Sequence, residues 1–205
     1  MKLLLILCIL ILCSAPSVIA ESVAEYTAQG VSSYDQGSFE QAVKFFQKAL
    51  TLDPKDVEAL NGLGKAYKSL ERYDESIAEY DKIISINPTY KKAWNNKGNT
   101  LTYMGRYDEA IPMFDKALEL DPEYGKAWSN KGWCLIKAEK FGEALTCLEK
   151  ATVLEPEYAI GWSNKGDALR ALGRKDEAGA AYDTALTLNP DLAEAIEGKA
   201  ALSNT

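Results

Sequence analysis

Apolar residues along this chain return at helical spacing, in paired runs separated by fixed stops. In the clearest unit, Lys91 to Pro122, the first set is Ala93, Trp94, Leu101 and Met104, which fits one face of a helix. Gly105 closes that run, since glycine reaches the left-handed conformation at helix ends without a Cβ penalty. Arg106-Tyr107-Asp108-Glu109 opens a second helix, its acidic pair suited to the positive end of the dipole. Apolar positions resume at Ala110, Ile111, Phe114, Ala117, Leu118 and Leu120. Asp121-Pro122 ends the unit, because the residue before proline is pushed out of helical geometry. The pattern predicts helix, short turn, helix, stop. Pro112 is expected in the first turn of the second helix, where its missing N–H costs little.

The same unit recurs every 34 residues. Prolines keep that step at Pro54, Pro88, Pro122, Pro156 and Pro190, and glycines at Gly30, Gly64, Gly98, Gly132 and Gly166. Trp94, Trp128 and Trp162 share the frame, as do Tyr90, Tyr124 and Tyr158. A period of this length predicts stacked helical pairs, none of which can bury its apolar face without a neighbour. Within each unit small residues oppose large ones. Gly98 and Ala110 stand against Trp94 and Phe114, Gly132 and Ala144 against Trp128, Gly166 and Ala178 against Trp162. The expectation is that Gly64, Gly98, Gly132 and Gly166 give the rings bare backbone to pack on.

The stretches AWNNKGNTLTYMGRYDEAIPMFDKALELDP and AWSNKGWCLIKAEKFGEALTCLEKATVLEP resemble the tetratricopeptide repeat, whose signature fixes Trp, Leu-Gly, Tyr, Ala, Phe, Ala and Pro. The resemblance covers five repeats, about 23–56, 57–90, 91–124, 125–158 and 159–192. Departures are few. Tyr26 and Leu60 replace the Trp of the first two units, and Lys97, Lys131 and Lys165 replace the Leu before Gly, a place where an apolar stem can pack while the charged head reaches water. The resemblance implies an all-α fold: a right-handed α-solenoid of antiparallel helix pairs, closed by a polar capping helix within 193–205.

The N-terminus reads as a leader. Lys2 precedes the unbroken apolar run Leu3 to Cys13, then Ser14-Ala15-Pro16-Ser17 breaks it, and Val18-Ile19-Ala20 offers small residues for cleavage. The run is short of the ~20 residues a membrane span needs. Residues 1–20 are therefore expected to be a signal peptide, with an uncleaved membrane anchor as the alternative. The protein is expected to be exported, and to touch a membrane only if the leader is retained.

Charge and chemistry narrow the function. The net charge of −7 argues against a nucleic-acid partner, which requires a basic surface. The absence of histidine removes the usual general base and the commonest metal ligand. There is no glycine-rich phosphate loop and no metal-type cysteine spacing, so no cofactor is expected. Asp74-Glu75 and Asp108-Glu109 read as helix starts rather than catalytic dyads. The mature chain would keep Cys134 and Cys147, which in an oxidising compartment could form a disulfide, or else lie buried as small hydrophobes.

By resemblance, the first helix of each repeat lines a concave groove, with positions two, five, nine and twelve of each unit facing it. The groove candidates are Lys65, Lys68, Lys92, Asn95, Asn99, Lys126 and Trp133. The lysines would attract a carboxylate-bearing peptide, and Trp133 would anchor an apolar residue. The leading expectation is a non-enzymatic scaffold that binds a protein or peptide segment in this groove. The rivals are a self-associating envelope protein and, less in keeping with the composition, a carboxylate-based hydrolase.

Overall fold

In the computed structural model, residues 22–203 are described; the expected leader lies outside them. Among the described residues there are eleven α-helices and no strand. The first helices of the pairs are α1 (Val23–Asp35), α3 (Val57–Ser69), α5 (Lys91–Tyr103), α7 (Gly125–Lys137) and α9 (Ala159–Ala171). Their partners are α2 (Phe39–Leu52), α4 (Tyr73–Ile86), α6 (Tyr107–Leu120), α8 (Phe141–Leu154) and α10 (Lys175–Leu188). Helix α11 (Ala193–Leu202) closes the array. Every first helix starts 34 residues after the one before, and none of the described helices is long and apolar enough to cross a membrane.

Each helix packs on its neighbours in sequence, and each first helix also touches the next first helix. No two second helices bring Cα atoms within 8 Å of each other. The first helices therefore form the inner, tighter layer of a curved array and the second helices the outer one, the geometry of an α-solenoid.

Local signals set the helix ends. Ser22 and Glu25 form a reciprocal capping box on α1, and the Asp56 carboxylate accepts from the Ala59 N–H at 2.7 Å to cap α3. The turns inside the pairs need a left-handed residue. Gly37, Gly105 and Gly173 supply it with φ near +75°, whereas Glu71 and Glu139 adopt φ of 59° at the equivalent places. Glu75 and Glu109 sit in the first turns of α4 and α6, paired with Arg72 and Arg106. Pro112 is one turn deeper than expected, as the sixth residue of α6, and the helix runs on through it.

The core corrects the expected role of the tryptophans. The residue that fills each pair is Phe46, Tyr80, Phe114, Leu148 or Tyr182 on the outer helix, all essentially fully buried. A Cβ on Gly64 would lie 2.8 Å from the Tyr80 ring, one on Gly98 3.0 Å from Phe114, one on Gly132 2.5 Å from Leu148, and one on Gly166 2.5 Å from Tyr182. These glycines thus give bare backbone to the outer-helix side chain. Trp94, Trp128 and Trp162 are only half-buried, and each indole N–H donates to the carbonyl of the proline six residues earlier, Pro88, Pro122 or Pro156. They tie each inner helix to the turn before it. Cys134 and Cys147 are free and buried in different clusters, so the conditional disulfide is not formed. Burial raises both thiols above their usual range.

Lys97 and Lys131, which stand where the repeat signature has leucine, have largely covered stems and heads that pair with Asp81 and Asp115 of the preceding outer helix at 2.5 and 2.6 Å. Lys199 and Asp183 repeat the arrangement between α10 and α11. The stem packs and the head bridges helices.

Candidate functional site

The inner layer carries a ladder of side-chain hydrogen bonds from one repeat to the next. Asn96 Nδ2 donates to Asn61 Oδ1 at 2.9 Å, Asn130 Nδ2 to Asn95 Oδ1 at 3.0 Å, and Asn164 Nδ2 to Ser129 Oγ at 3.3 Å. Each donor lies 35 residues after its acceptor. At both ends the ladder stops. The next acceptors in register are Thr27 and Ser163, and the residues 35 further on are Gly62 and Gly198, which have no side chain to donate. Thr27 Oγ1 and Ser163 Oγ are the two buried side-chain oxygens without a partner among the described residues. Both glycines are required by packing: a Cβ on Gly62 would overlap the Phe46 ring, and one on Gly198 would lie 2.5 Å from the Tyr182 ring.

This ladder removes Asn95 from the set of free groove residues. It is 4% exposed and engaged with both Asn96 and Asn130, so it serves the stack. The remaining candidates divide into groups. Lys65 extends over the Tyr34 ring, 4.6 Å from its centroid. Lys68 donates to Asn99 Oδ1 at 3.2 Å and stands 4.9 Å from the centroid of Tyr103. Burial, with the nearby Lys65 second, holds the Lys68 ammonium below its usual range. Lys92 and Lys126 are exposed.

Trp133 belongs to a row of rings. Tyr73 stacks on Tyr103 at 6.4 Å and 17°, and Tyr103 meets Trp133 at 5.0 Å and 49°. Lys137 lies 5.7 Å from the Trp133 centroid. Beside this row opens a cavity of about 370 Å³, lined among others by Asn99, Tyr103, Asn130, Trp133, Tyr158 and Glu194. Burial raises the Tyr103 phenol, and Tyr73, Glu194 and Tyr34 act in the same direction. Tyr103 on α5 and Glu194 on the capping helix line the same cavity. Neither Lys92 nor Lys126 lines this cavity, although the Lys126 ammonium stands 5.7 Å from the ring of Tyr158, which does.

Tyr73, Tyr103, Lys137 and Tyr158 were missing from the sequence-derived groove. Tyr103 and Lys137 share position thirteen of their units, next to the position twelve that was considered. Tyr158 was visible only as a marker of the repeat. No cluster of metal-ligating side chains occurs among the described residues.

Profiles of the tetratricopeptide repeat match residues 57–90, 92–124, 113–146 and 135–193, and a TPR repeat profile matches 30–71. The chain belongs to the tetratricopeptide-repeat family. No curated protein sequence matches it. Solved structures share its fold. TTC0263, a thermophilic TPR protein of Thermus thermophilus, is 21% identical, with a TM-score of 0.79 over 90% of this chain and 100% of its own. PilW, described as a widely conserved type IV pilus biogenesis factor, is 23% identical, with a TM-score of 0.75 over 89% of each chain. YrrB, described as a TPR protein with an unusual peptide-binding site, is 24% identical, with a TM-score of 0.60 over 87% of this chain and 92% of its own. Tetratricopeptide-repeat arrays are typically interaction scaffolds without chemistry of their own, and the matching profiles include no catalytic family.

Proposed function

We propose that this tetratricopeptide-repeat chain is an exported scaffold that holds an extended segment of a partner protein in its concave groove, and that the segment carries a carboxylate beside an apolar or aromatic side chain. The observation that carries the reading is the state of the inner-face lysines. Ten lysines and arginines form ion pairs with carboxylates, Arg170 at position twelve of its unit among them, whereas among the described residues Lys65, Lys68, Lys92, Lys126 and Lys137, like several lysines outside the groove, form none. Lys65, Lys68, Lys126 and Lys137 lie instead against aromatic faces. Cations left without carboxylates in a partly desolvated groove favour an acidic ligand and speed its approach. The Tyr103–Trp133 pair beside its cavity supplies the apolar contact, where central aromatic residues tend to dominate affinity. Export is supported by the apolar leader of residues 3–13.

The test is affinity capture from the native envelope by the mature chain and by its Trp133→Ala and Lys68→Glu variants. The proposed site requires a partner retained by the parent chain, released faster by Trp133→Ala and captured more slowly by Lys68→Glu. Equal retention by all three folded proteins would move the site off the concave face.

A further inference from the structure

The groove has a second pole. Along α1 and the start of α3, a cavity of about 910 Å³ has an apolar floor that includes Ala28 and the half-exposed Val31. Its rim carries Asp35, Asp53, Asp56 and Glu58, and no lysine or arginine among the described residues lines it. None of the four carboxylates is in an ion pair with a described residue. Asp53 and Asp56 accept only backbone N–H groups, and Glu58 accepts from the Tyr90 hydroxyl at 3.3 Å. A smaller cleft of about 140 Å³ shares Thr27, Val31, Asp35 and Glu58 with this cavity and is lined by Lys65 as well. Carboxylates therefore gather at the α1–α3 end and lysines without ion pairs gather beyond it, with Glu194 of the cap also lining the aromatic cavity. The outer layer behaves differently: Arg72, Arg106 and Arg174 each pair with a glutamate three residues on.

We infer that the segment held in the groove is itself charge-polarised, with basic and aliphatic residues over the α1–α3 end and acidic and aromatic residues over Lys65, Lys68 and the Tyr103–Trp133 row. This rests on the groove reading above and adds order and direction to it. A segment of that kind satisfies both unneutralised poles at once. One with alternating charges places like against like at each end, and the reversed segment does so throughout when it runs in the same chain direction. Juxtaposed like charges cost affinity and suppress wrong partners. The sorted charges thus act as a register for the ligand.

The experiment uses three synthetic peptides of one composition, rich in Lys, Leu, Glu and Tyr. Each has about fourteen residues, which at ~3.4 Å per residue extend to roughly 48 Å. Two carry the basic-aliphatic and acidic-aromatic halves in opposite orders, and the third alternates the charges. Binding to the mature chain is read by fluorescence anisotropy. One block order should bind about tenfold more tightly than the other two peptides at low salt, with the advantage shrinking as salt is added. The combined swap Asp35→Lys, Glu58→Lys, Lys65→Glu and Lys68→Glu should reverse the preferred order. If that protein does not fold, the milder pair Asp35→Asn and Lys65→Gln should abolish the preference. Equal binding of block and alternating peptides, or an order unchanged by the swap, would overturn the inference while leaving the groove reading intact. Failure of all three peptides to bind the folded parent chain would overturn both.

Discussion

The ring of Phe46 occupies the space that a side chain on Gly62 would need, although the two residues belong to different repeats. Gly30 meets the same ring from the first repeat's own inner helix, so Phe46 is clamped between two bare stretches of backbone. Tyr182 is held in the same way between Gly166 and Gly198 at the other end. Its hydroxyl donates to Asp167 Oδ1 at 2.7 Å. Alanine is the better helix former by ~1 kcal/mol. Gly62→Ala and Gly198→Ala should nevertheless destabilise, because overpacking a full core costs ~1–3 kcal/mol. Urea unfolding checks this, and a raised midpoint would show that the rings can yield.

The ladder makes opposite predictions for chemically similar changes. Asn130→Ala removes a donor and leaves the covered Asn95 amide short of a partner, which should cost ~1–3 kcal/mol. Ser163→Ala and Thr27→Val remove hydroxyls that have no partner, so both should be neutral or stabilising. Thermal midpoints of the three variants discriminate. A loss on Ser163→Ala comparable to that on Asn130→Ala would mean that water or a ligand completes that end.

Glu71 and Glu139 hold a left-handed backbone that the other repeats assign to Gly37, Gly105 and Gly173. A non-glycine residue there costs ~1 kcal/mol or more. Glu71→Gly and Glu139→Gly should each stabilise by a similar amount, less the extra entropy glycine gives the unfolded chain. Gly105→Ala should destabilise. Native-state hydrogen exchange in the adjoining turns is the direct readout.

Lys68 links stability to pH. Burial and Lys65 hold its folded-state value below 10.5, so between that depressed value and 10.5 the unfolded chain binds more protons. Stability from this group therefore rises with pH through that window, and its cost is fully present below it. Lys68→Met should remove the cost, making the protein more stable at neutral pH while weakening its hold on an acidic peptide. The variant's stability relative to the parent should then decline as pH climbs through the window. A constant difference across alkaline pH would refute the assignment.

Much of this was legible in the chain because helix stops are local. Gly105, Asp121-Pro122 and their equivalents mark their own positions, so every inner helix begins where the 34-residue frame puts it. The tryptophans misled because periodicity reports register and not depth. Trp94 recurs for its bond to the Pro88 carbonyl, while the buried place passes among Phe, Tyr and Leu. The groove was less readable. Tyr73, Tyr103 and Trp133 are each 30 residues apart, a step that crosses the repeat frame and emerges only when the array curves. Asn95 looked free because its partner, Asn130, lies on another repeat.

The hand-over from Asn95 to Asn130 also sets what lengths this protein can take. A second copy of residues 91–124 inserted after the first would bring its own Asn96 to the original Asn95 and its own Lys97 to the original Asp115, reproducing the junctions seen at Asn130 and Lys131. The middle of the array can thus be extended in whole units with its hydrogen-bond ladder and its lysine–aspartate bridges intact. The outer junctions admit no such copying, since Gly62 and Gly198 fit only beneath Phe46 and Tyr182. Growth belongs to the centre, and the two ends are single-use parts.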